Sequence, residues 1–543
     1  MTIDLGPIER IADRAETLAG AWSARARAST TVGRERALLR MFGISGLDAA
    51  GRPLAWSVVD RYLAGGAGRL GGGILLPFAI ALAEYDLDPQ RLALDVASGA
   101  VDLGLEAALL QEPDRRAIAE EEARRLVGAA IERIDANRTA RAELIAVLGE
   151  PRRPWVGAAI GEPDLAGALD EARLAIEAGA DLLQVDVPIG RELSERLRRA
   201  GRDAPIWQPR SGLDPSVERL LEQAPSGSQR ALGSLRLQLD EAAARRRGYI
   251  RLSIVPPALG TPESAVVAGF ERIDVALADP LAEIVDGHVA PDRALADHAF
   301  GHAVLARAGV TLALGAGPLV VGPDIARGVP SSPSSRAGRA LALQILGVAI
   351  ARGNGLPDDQ IVVGGLTPWL VGEANPVAFA AGELALRRAL LPGIGLVLEE
   401  PRATDRGAGE LWPAIVAALQ PSGATTAILR RGPSAGDLRA TGVAARVAAA
   451  LRGAIEPTVL TGAALDHARA TADAALRTLD RLADEGWRTV IGDGPAEAAH
   501  AALGADAVAE RSDPFDPLGR ELSGTSGMSR PRQGRDDEGR AKR

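Results

Sequence analysis

From Trp155 onward the chain alternates short apolar runs with longer stretches of helical periodicity, and this alternation limits its possible folds more than any other feature. It is the βα signature of a parallel sheet or barrel. Eight runs qualify as strands: Trp155 to Ile160, Leu182 to Val187, Tyr249 to Val255, Arg272 to Ala276, Thr311 to Gly315, Ile361 to Gly365, Ile394 to Leu398 and Thr426 to Arg430. Helical patterns such as Asp164 to Ala178, Ser228 to Arg245 and Arg336 to Arg352 separate them. Eight parallel strands over roughly 280 residues predict an α/β fold, a TIM (β/α)8 barrel with its working face at the strand C-termini. An open doubly wound sheet is the alternative if two of these runs are not strands.

Helical extensions flank the barrel, which is assigned to residues 151–433. Residues 1–150 carry apolar side chains at spacings of three and four, as at Ile8, Ile11, Ala12, Ala15 and Leu18, and solvated Arg/Glu faces such as Glu120 to Arg133. The stretch from Pro151 to Pro154 marks the boundary. Residues 434–522 read as a mainly helical, alanine-rich region with a possible strand at Thr489 to Gly492. Residues 523–543 are rich in Gly, Ser, Arg and Asp without apolar spacing, and are expected to be a disordered tail.

Three compositional facts exclude classes of function. Acidic residues number 71 against 62 basic, for a formal net charge of -9, which argues against neutralising nucleic-acid phosphates. Cysteine is absent, which removes disulfides, thiolate metal sites and cysteine nucleophiles, and fits a reducing compartment. Lys542, in the tail, is the only lysine, so no internal Schiff base and no Walker-type lysine can form within the folded body. The N-terminus lacks a signal-peptide pattern, and the longest apolar run, about Gly71 to Ala83, contains Pro77 and is too short to span a bilayer. A soluble, cytoplasmic protein is expected, with no membrane and no nucleic-acid partner.

Candidate site residues fall in four groups. Ser226, Gly227, Ser228 and Gln229 precede a predicted helix, where backbone amides and hydroxyls at an N-terminus favour a phosphate or carboxylate. The plainer alternative is that Ser228 is simply an N-cap. Carboxylates at predicted strand ends, Glu162, Asp186, Glu399 and Glu400, together with Arg430 and Arg431, would converge on a barrel mouth and suit a metal, an ammonium or a carboxylate. Equally, Glu399 and Glu400 form a solvated turn before Pro401. His298 and His302, at i and i+4, share one helical face, but no supporting HExxH arrangement or third ligand is identifiable, so core or capping roles are favoured and no metal site is assigned. Asp286-Gly-His288 opens like the Asp-x-His-x-x-Gly pattern that supplies the lower axial histidine of base-off cobalamin proteins. Pro291 stands where that pattern needs glycine, so no cobalt ligand is assigned.

Several strings, in order, resemble the alpha subunit of lysine 5,6-aminomutase. They are Thr30-Thr-Val-Gly-Arg-Glu-Arg-Ala37 leading into Phe42-Gly-Ile-Ser-Gly46, then Ala97-Ser-Gly-Ala-Val-Asp-Leu103, Tyr249-Ile-Arg-Leu252 and Phe270-Glu-Arg-Ile-Asp-Val275. The stretch around Asp297 and Phe300 and the late Asp513-Pro-Phe515 are similar too. The resemblance implies a TIM-barrel subunit of an isomerase, an aminomutase active only with a cobalamin-binding beta-type subunit. That partner would carry both the cobalamin domain and the lysine that holds pyridoxal phosphate. In such enzymes adenosylcobalamin supplies a radical that abstracts substrate hydrogen, and pyridoxal phosphate carries the amino group of a small amino acid through a 1,2-shift. The barrel would bind substrate and the pyridoxal head and exclude water. A barrel with no usable lysine and no intact cobalt-ligand motif fits this division.

The chain also departs from the family pattern. The family's arginine after the second strand falls at Val187, its phosphate-binding serine at Pro257, its ring-stacking tyrosine at Ala282 and its substrate-carboxylate arginine at Gly287. Losing a stacking ring and two guanidinium groups weakens binding of an anionic ligand by several kcal/mol unless they are replaced. The contact stretch through Ser228 and Gln229 is retained, and Arg251, Arg293 and Arg327 are candidate replacements, with Asp186, Arg251 and Glu399 the candidate substrate contacts. Two other readings stay open: a stand-alone metal-dependent TIM-barrel lyase or hydrolase using Asp186 or Glu399, and a non-catalytic scaffold subunit.

Overall fold

A computed structural model describes residues 6–66, 68–160, 165–186, 215–256, 259–285, 289–315, 332–364, 375–399, 425–431, 435–451, 462–487 and 508–523. Its N-terminal part comprises α1 (Ile8–Ala28), β1 (Ser29–Thr31), α2 (Val32–Met41), α3 (Leu54–Leu63), α4 (Gly68–Gly72), α5 (Leu75–Tyr85), α6 (Pro89–Ser98), α7 (Leu103–Leu109) and α8 (Pro113–Leu148). The barrel follows as β2 (Trp155–Ile160), α9 (Leu165–Glu177), β3 (Leu182–Asp186), α10 (Pro215–Arg246), β4 (Arg251–Val255), α11 (Thr261–Phe270), β5 (Val275–Ala276), α12 (Pro280–Val285) and α13 (Pro291–Ala308). It continues through β6 (Thr311–Leu314), α14 (Pro333–Gly353), β7 (Ile361–Gly364), α15 (Pro376–Leu390), β8 (Gly395–Glu399), β9 (Thr425–Arg431) and α16 (Ala435–Leu451). The described chain closes with α17 (Ala463–Glu485), β10 (Val508–Glu510) and α18 (Pro517–Ser523).

Strands β2 to β9 pair in chain order, all parallel, and β9 closes onto β2. This is the eight-stranded barrel expected from the sequence, and all eight predicted runs lie on its strands. Successive side chains of a strand point to opposite faces, which sorts them into two layers. Leu183, Leu252, Ile254, Leu312 and Val363 pack outward into the large core shared with the helices. Trp155, Leu182, Val275, Ala313, Val362, Val397 and Ala427 form a separate cluster, the inner wall. Covered on both faces, such strands read in sequence as continuous apolar runs.

Two boundaries differ from expectation by more than one residue. Strand β4 begins at Arg251 rather than Tyr249, because Tyr249 turns aside to donate its hydroxyl to Asp274 Oδ1 at 3.0 Å. Strand β5 spans only Val275–Ala276, since Arg272 has φ 51°, a left-handed conformation that no strand accommodates. The possible strand at Thr489 to Gly492 and the tail residues 524–543 lie outside the described residues.

The N-terminal helices lie against one side of the barrel. Helix α1 packs on α13, α14 and α17, and α2 packs on α11 and α13. Strand β1 pairs antiparallel with β10 through Ser29↔Glu510, Thr30↔Ala509 and Thr31↔Val508, so the two ends of the chain meet beside the barrel. No described helix is long and apolar enough to cross a membrane.

Candidate functional site

The inner wall between β3 and β4 carries polar groups where a barrel of this size is ordinarily filled by branched apolar side chains. Leu182 belongs to the inner cluster, so Gln184, two residues on, shares its face. On β4, Leu252 and Ile254 face outward, which turns Arg251 and Ser253 inward. Gln184 and Ser253 are direct register partners. They are 6% and 0% exposed, and neither Gln184 Oε1 nor Ser253 Oγ has a hydrogen-bond partner. A bare buried polar atom costs about 1–3 kcal/mol unless a water or ligand atom reaches it.

Arg251 lies below them, at the opening residue of β4 and therefore toward the barrel floor rather than its mouth. Its guanidinium sits 3.9 Å from the Trp155 ring centre and 5.5 Å from that of Tyr249. Nη2 donates to Glu150 Oε1 at 3.0 Å, while Nη1 is buried without a partner. Burial depresses the pKa of this guanidinium, with the charges of Asp274 and Glu150 opposing the shift.

At the rim, Asp186 ends β3 opposite Val255, and Glu399 ends β8 opposite Leu429. Both predicted carboxylates thus stand at strand C-termini; their side chains lie outside the described residues. Asp279, which sequence reasoning missed, stands three residues past β5. Its Oδ2 accepts from Gly315 N at 2.8 Å and its Oδ1 from Leu281 N at 2.8 Å, tying the end of β5 to the end of β6. Burial raises its pKa, opposed chiefly by the Gly315 and Leu281 amides.

The helix expected to begin at Ser228 begins instead at Pro215, so Ser226, Gly227, Ser228 and Gln229 lie inside α10. Amides in the middle of a helix are committed to carbonyls four residues back and cannot cradle a phosphate. Gln229 is engaged as well: it accepts from Arg40 Nη1 at 3.3 Å and donates to Glu271 Oε1 at 3.0 Å. Ala282 lies on α12. Val187, Pro257, Gly287, His288, Glu162, Glu400 and Arg327 lie outside the described residues.

Arg293 is also committed elsewhere. Its Nε donates to Asp297 Oδ2 at 2.5 Å, and Asp297 accepts in turn from the Thr31 hydroxyl. His298 and His302 form a buried chain rather than an open ligand pair. Asn354 Nδ2 donates to His302 Nδ1 at 3.3 Å, and His302 Nε2 donates to Ala278 O at 3.0 Å and lies 3.3 Å from His298 Nδ1. His298 Nε2 faces Glu283 Oε1 at 3.4 Å. Among the described residues, no cluster of three or more His, Cys, Asp or Glu is arranged to hold a metal.

Burial, with His298 beside it, depresses the His302 pKa from 6.5 to about 3, so the ring is neutral in the folded protein. The unfolded chain takes up a proton below the ordinary value, so this stabilisation is complete above it and is lost as pH falls toward the folded value. The loss amounts to about 1.4 kcal/mol per pH unit. Between pH 7 and pH 5 the urea-unfolding free energy is expected to fall by about 2 kcal/mol from this group alone. His302→Gln should flatten that slope by the same amount; an unchanged slope would show that the ring titrates normally.

The chain matches the family model described as the D-lysine 5,6-aminomutase TIM-barrel domain of the alpha subunit over residues 1–194 and 227–380. The lysine 5,6-aminomutase alpha subunit of Fusobacterium nucleatum is 24% identical over 393 residues, covering 72% of this chain and 70% of that protein. That of Acetoanaerobium sticklandii is 25% identical over 365 residues, covering 67% of this chain and 64% of that protein. Among solved structures, dihydropteroate synthase from Anaplasma phagocytophilum aligns with 55% of this chain and 98% of its own at 13% identity, with a TM-score of 0.34. The match runs from the N-terminal helices into the barrel as far as α15, in the same chain order as the strings Thr30–Ala37, Ala97–Leu103, Tyr249–Leu252 and Phe270–Val275. The chain therefore belongs to the family of lysine 5,6-aminomutase alpha-subunit TIM-barrel domains, as a divergent member.

Proposed function

We propose that this chain is the barrel subunit of an adenosylcobalamin-dependent aminomutase, an isomerase that performs a radical 1,2-amino shift together with a cobalamin-binding partner subunit. The observation that carries the reading is family membership combined with a barrel whose inner wall holds bare polar groups at Gln184 and Ser253. A scaffold that had lost its ligand would gain stability by filling those positions with apolar side chains.

Among the described residues, none offers an amine to hold pyridoxal phosphate. The chain has no lysine before Lys542 to bind pyridoxal phosphate. The Ser226 to Gln229 stretch is helix interior, with Gln229 already bonded on both sides. In this reading both cofactors are anchored mainly by the partner, and this chain's part is to bind substrate, orient it and keep water from the reacting atoms. A cytoplasmic location belongs to the same proposal, supported by the absence of cysteine. Co-expression with the candidate cobalamin-binding subunit is expected to yield a stable complex that absorbs as a corrinoid, while the chain purified alone is colourless. A chain that never associates with a corrinoid-binding protein would contradict the proposal.

A further inference from the structure

At the floor of the barrel, opposite the rim, lies a cavity of about 460 Å³. Its wall includes Trp155, Thr311, Ile361 and Gly395, the opening residues of β2, β6, β7 and β8, and Thr426, the second residue of β9. This fold places its chemistry at the strand C-termini, so the amino shift does not account for a cavity here. Its volume is that of a small-molecule site.

The seam between β8 and β9 is irregular at this point. Leu396 pairs with Thr425 and Val397 with Ala427, so β9 carries one extra residue and Thr426 is bulged out of the ladder. Bulges are rare in parallel pairs and serve to re-aim a side chain. Thr426 lines the cavity, is 4% exposed, and its hydroxyl has no hydrogen-bond partner. Gly395 makes room for it, since a Cβ at that position would overlap the Thr426 hydroxyl. Arg387 of α15 lines the same cavity and is 3% exposed. Its Nε donates to Gln344 Oε1 at 3.0 Å and its Nη1 to Glu383 Oε2 at 3.3 Å, which fixes the guanidinium and leaves Nη2 bare. Three guanidinium groups, of Arg153, Arg387 and Arg388, line the cavity against the carboxylates of Asp358 and Asp359, and Asp358 is engaged by Arg352 at 2.7 Å. Two bare donors, one of them on a cation, call for an anionic oxygen, while Leu384, Leu391 and Leu396 supply an apolar wall.

We propose that the floor cavity is a binding site for a small aliphatic monocarboxylate, with its carboxylate on Arg387 Nη2 and the Thr426 hydroxyl and its hydrocarbon part against the three leucines. The ligand bridges α15 and the bulged β8–β9 seam, so the occupied barrel is the more stable one. This site is independent of the aminomutase reading and needs neither cofactor nor partner.

The test uses the purified full-length chain with isovalerate, its uncharged analogue isovaleramide and inorganic phosphate as probes, read by calorimetry and thermal melting. Isovalerate is expected to bind at least tenfold more tightly than either of the others and, at saturation, to raise the melting temperature by a few degrees. Thr426→Val, which keeps the shape of the side chain, should lose roughly tenfold in affinity for isovalerate. Arg387→Lys, which keeps the charge but not the planar fork, should lose at least roughly as much. Without probe, Thr426→Val should melt at or above the wild-type temperature, because it removes a bare buried hydroxyl. The site is overturned if wild type binds no probe, or if isovalerate and isovaleramide bind alike. Phosphate binding more tightly than isovalerate would overturn it by making this an inorganic-anion site, and full affinity in Thr426→Val would do so by placing the ligand elsewhere. A fall of several degrees in the probe-free melting of Thr426→Val would overturn it too, by assigning the hydroxyl to a structural water.

Discussion

Asp297→Ala is expected to cost about 3–5 kcal/mol of unfolding free energy, the largest loss of any single substitution considered. Asp297 is 0% exposed and Arg293, its partner on α13, 2% exposed, so removing the carboxylate strands a charge that water cannot reach. The hydroxyl of Thr31, which caps α2 by accepting from Arg34 N, loses its acceptor in the same step. Gly33 shows how tightly the cluster closes: a Cβ there would lie 2.8 Å from Arg293 Nη2 and 3.0 Å from Asp297 Oδ1. Urea unfolding monitored by circular dichroism measures the loss, and the double variant Arg293→Met/Asp297→Leu should recover much of it, because an apolar pair leaves no buried charge. A loss below about 1 kcal/mol for Asp297→Ala would show that the pair is hydrated and that the N-terminal helices are joined to the barrel by other contacts.

Gly338→Leu is expected to separate α14 from α17. A Cβ at this position would stand 2.7 Å from Thr471 O and 2.9 Å from Ala475 N. Both are backbone atoms of a helix and cannot rotate away, so the helices must part. Overpacking ordinarily costs about 1–3 kcal/mol and more where backbone must move, so the upper end or beyond applies here. The change should also be visible locally. Trp487, just past α17, lies with its ring centre 4.4 Å from that of Trp22 on α1, and this pair should lose its near-ultraviolet signal. Limited proteolysis should then cut the chain near α17 while the barrel survives. Wild-type melting and an intact tryptophan signal would contradict the close approach.

The barrel was legible in the sequence because parallel strands buried on both faces leave continuous apolar runs between helical periods. The pairing of β1 with β10 was not: three-residue strands separated by most of the chain carry no local signal. Helix α10 hid its true start for a related reason. Pro225, Ser226 and Gly227 look like a break, yet the helix from Pro215 runs through them. The strings that carry the family resemblance prove to be couplings. Thr31 and Asp297 join α2 to α13. Glu35 accepts from Ile74 N at 2.7 Å. Asp102 caps α7, and Tyr249 meets Asp274. Gln184 and Ser253 escaped notice because a lone polar residue in an apolar run acquires meaning only once strand register puts two of them side by side.

The central claim is that the reacting groups are divided between two polypeptides, with this one supplying the enclosing barrel. The most direct test is single-turnover amino migration measured on the isolated chain and on the same chain reconstituted with its corrinoid-binding partner, adenosylcobalamin and pyridoxal phosphate. Product from the reconstituted complex and none from the chain alone is the predicted result. Product formed by the chain alone, without corrinoid or partner, would contradict it.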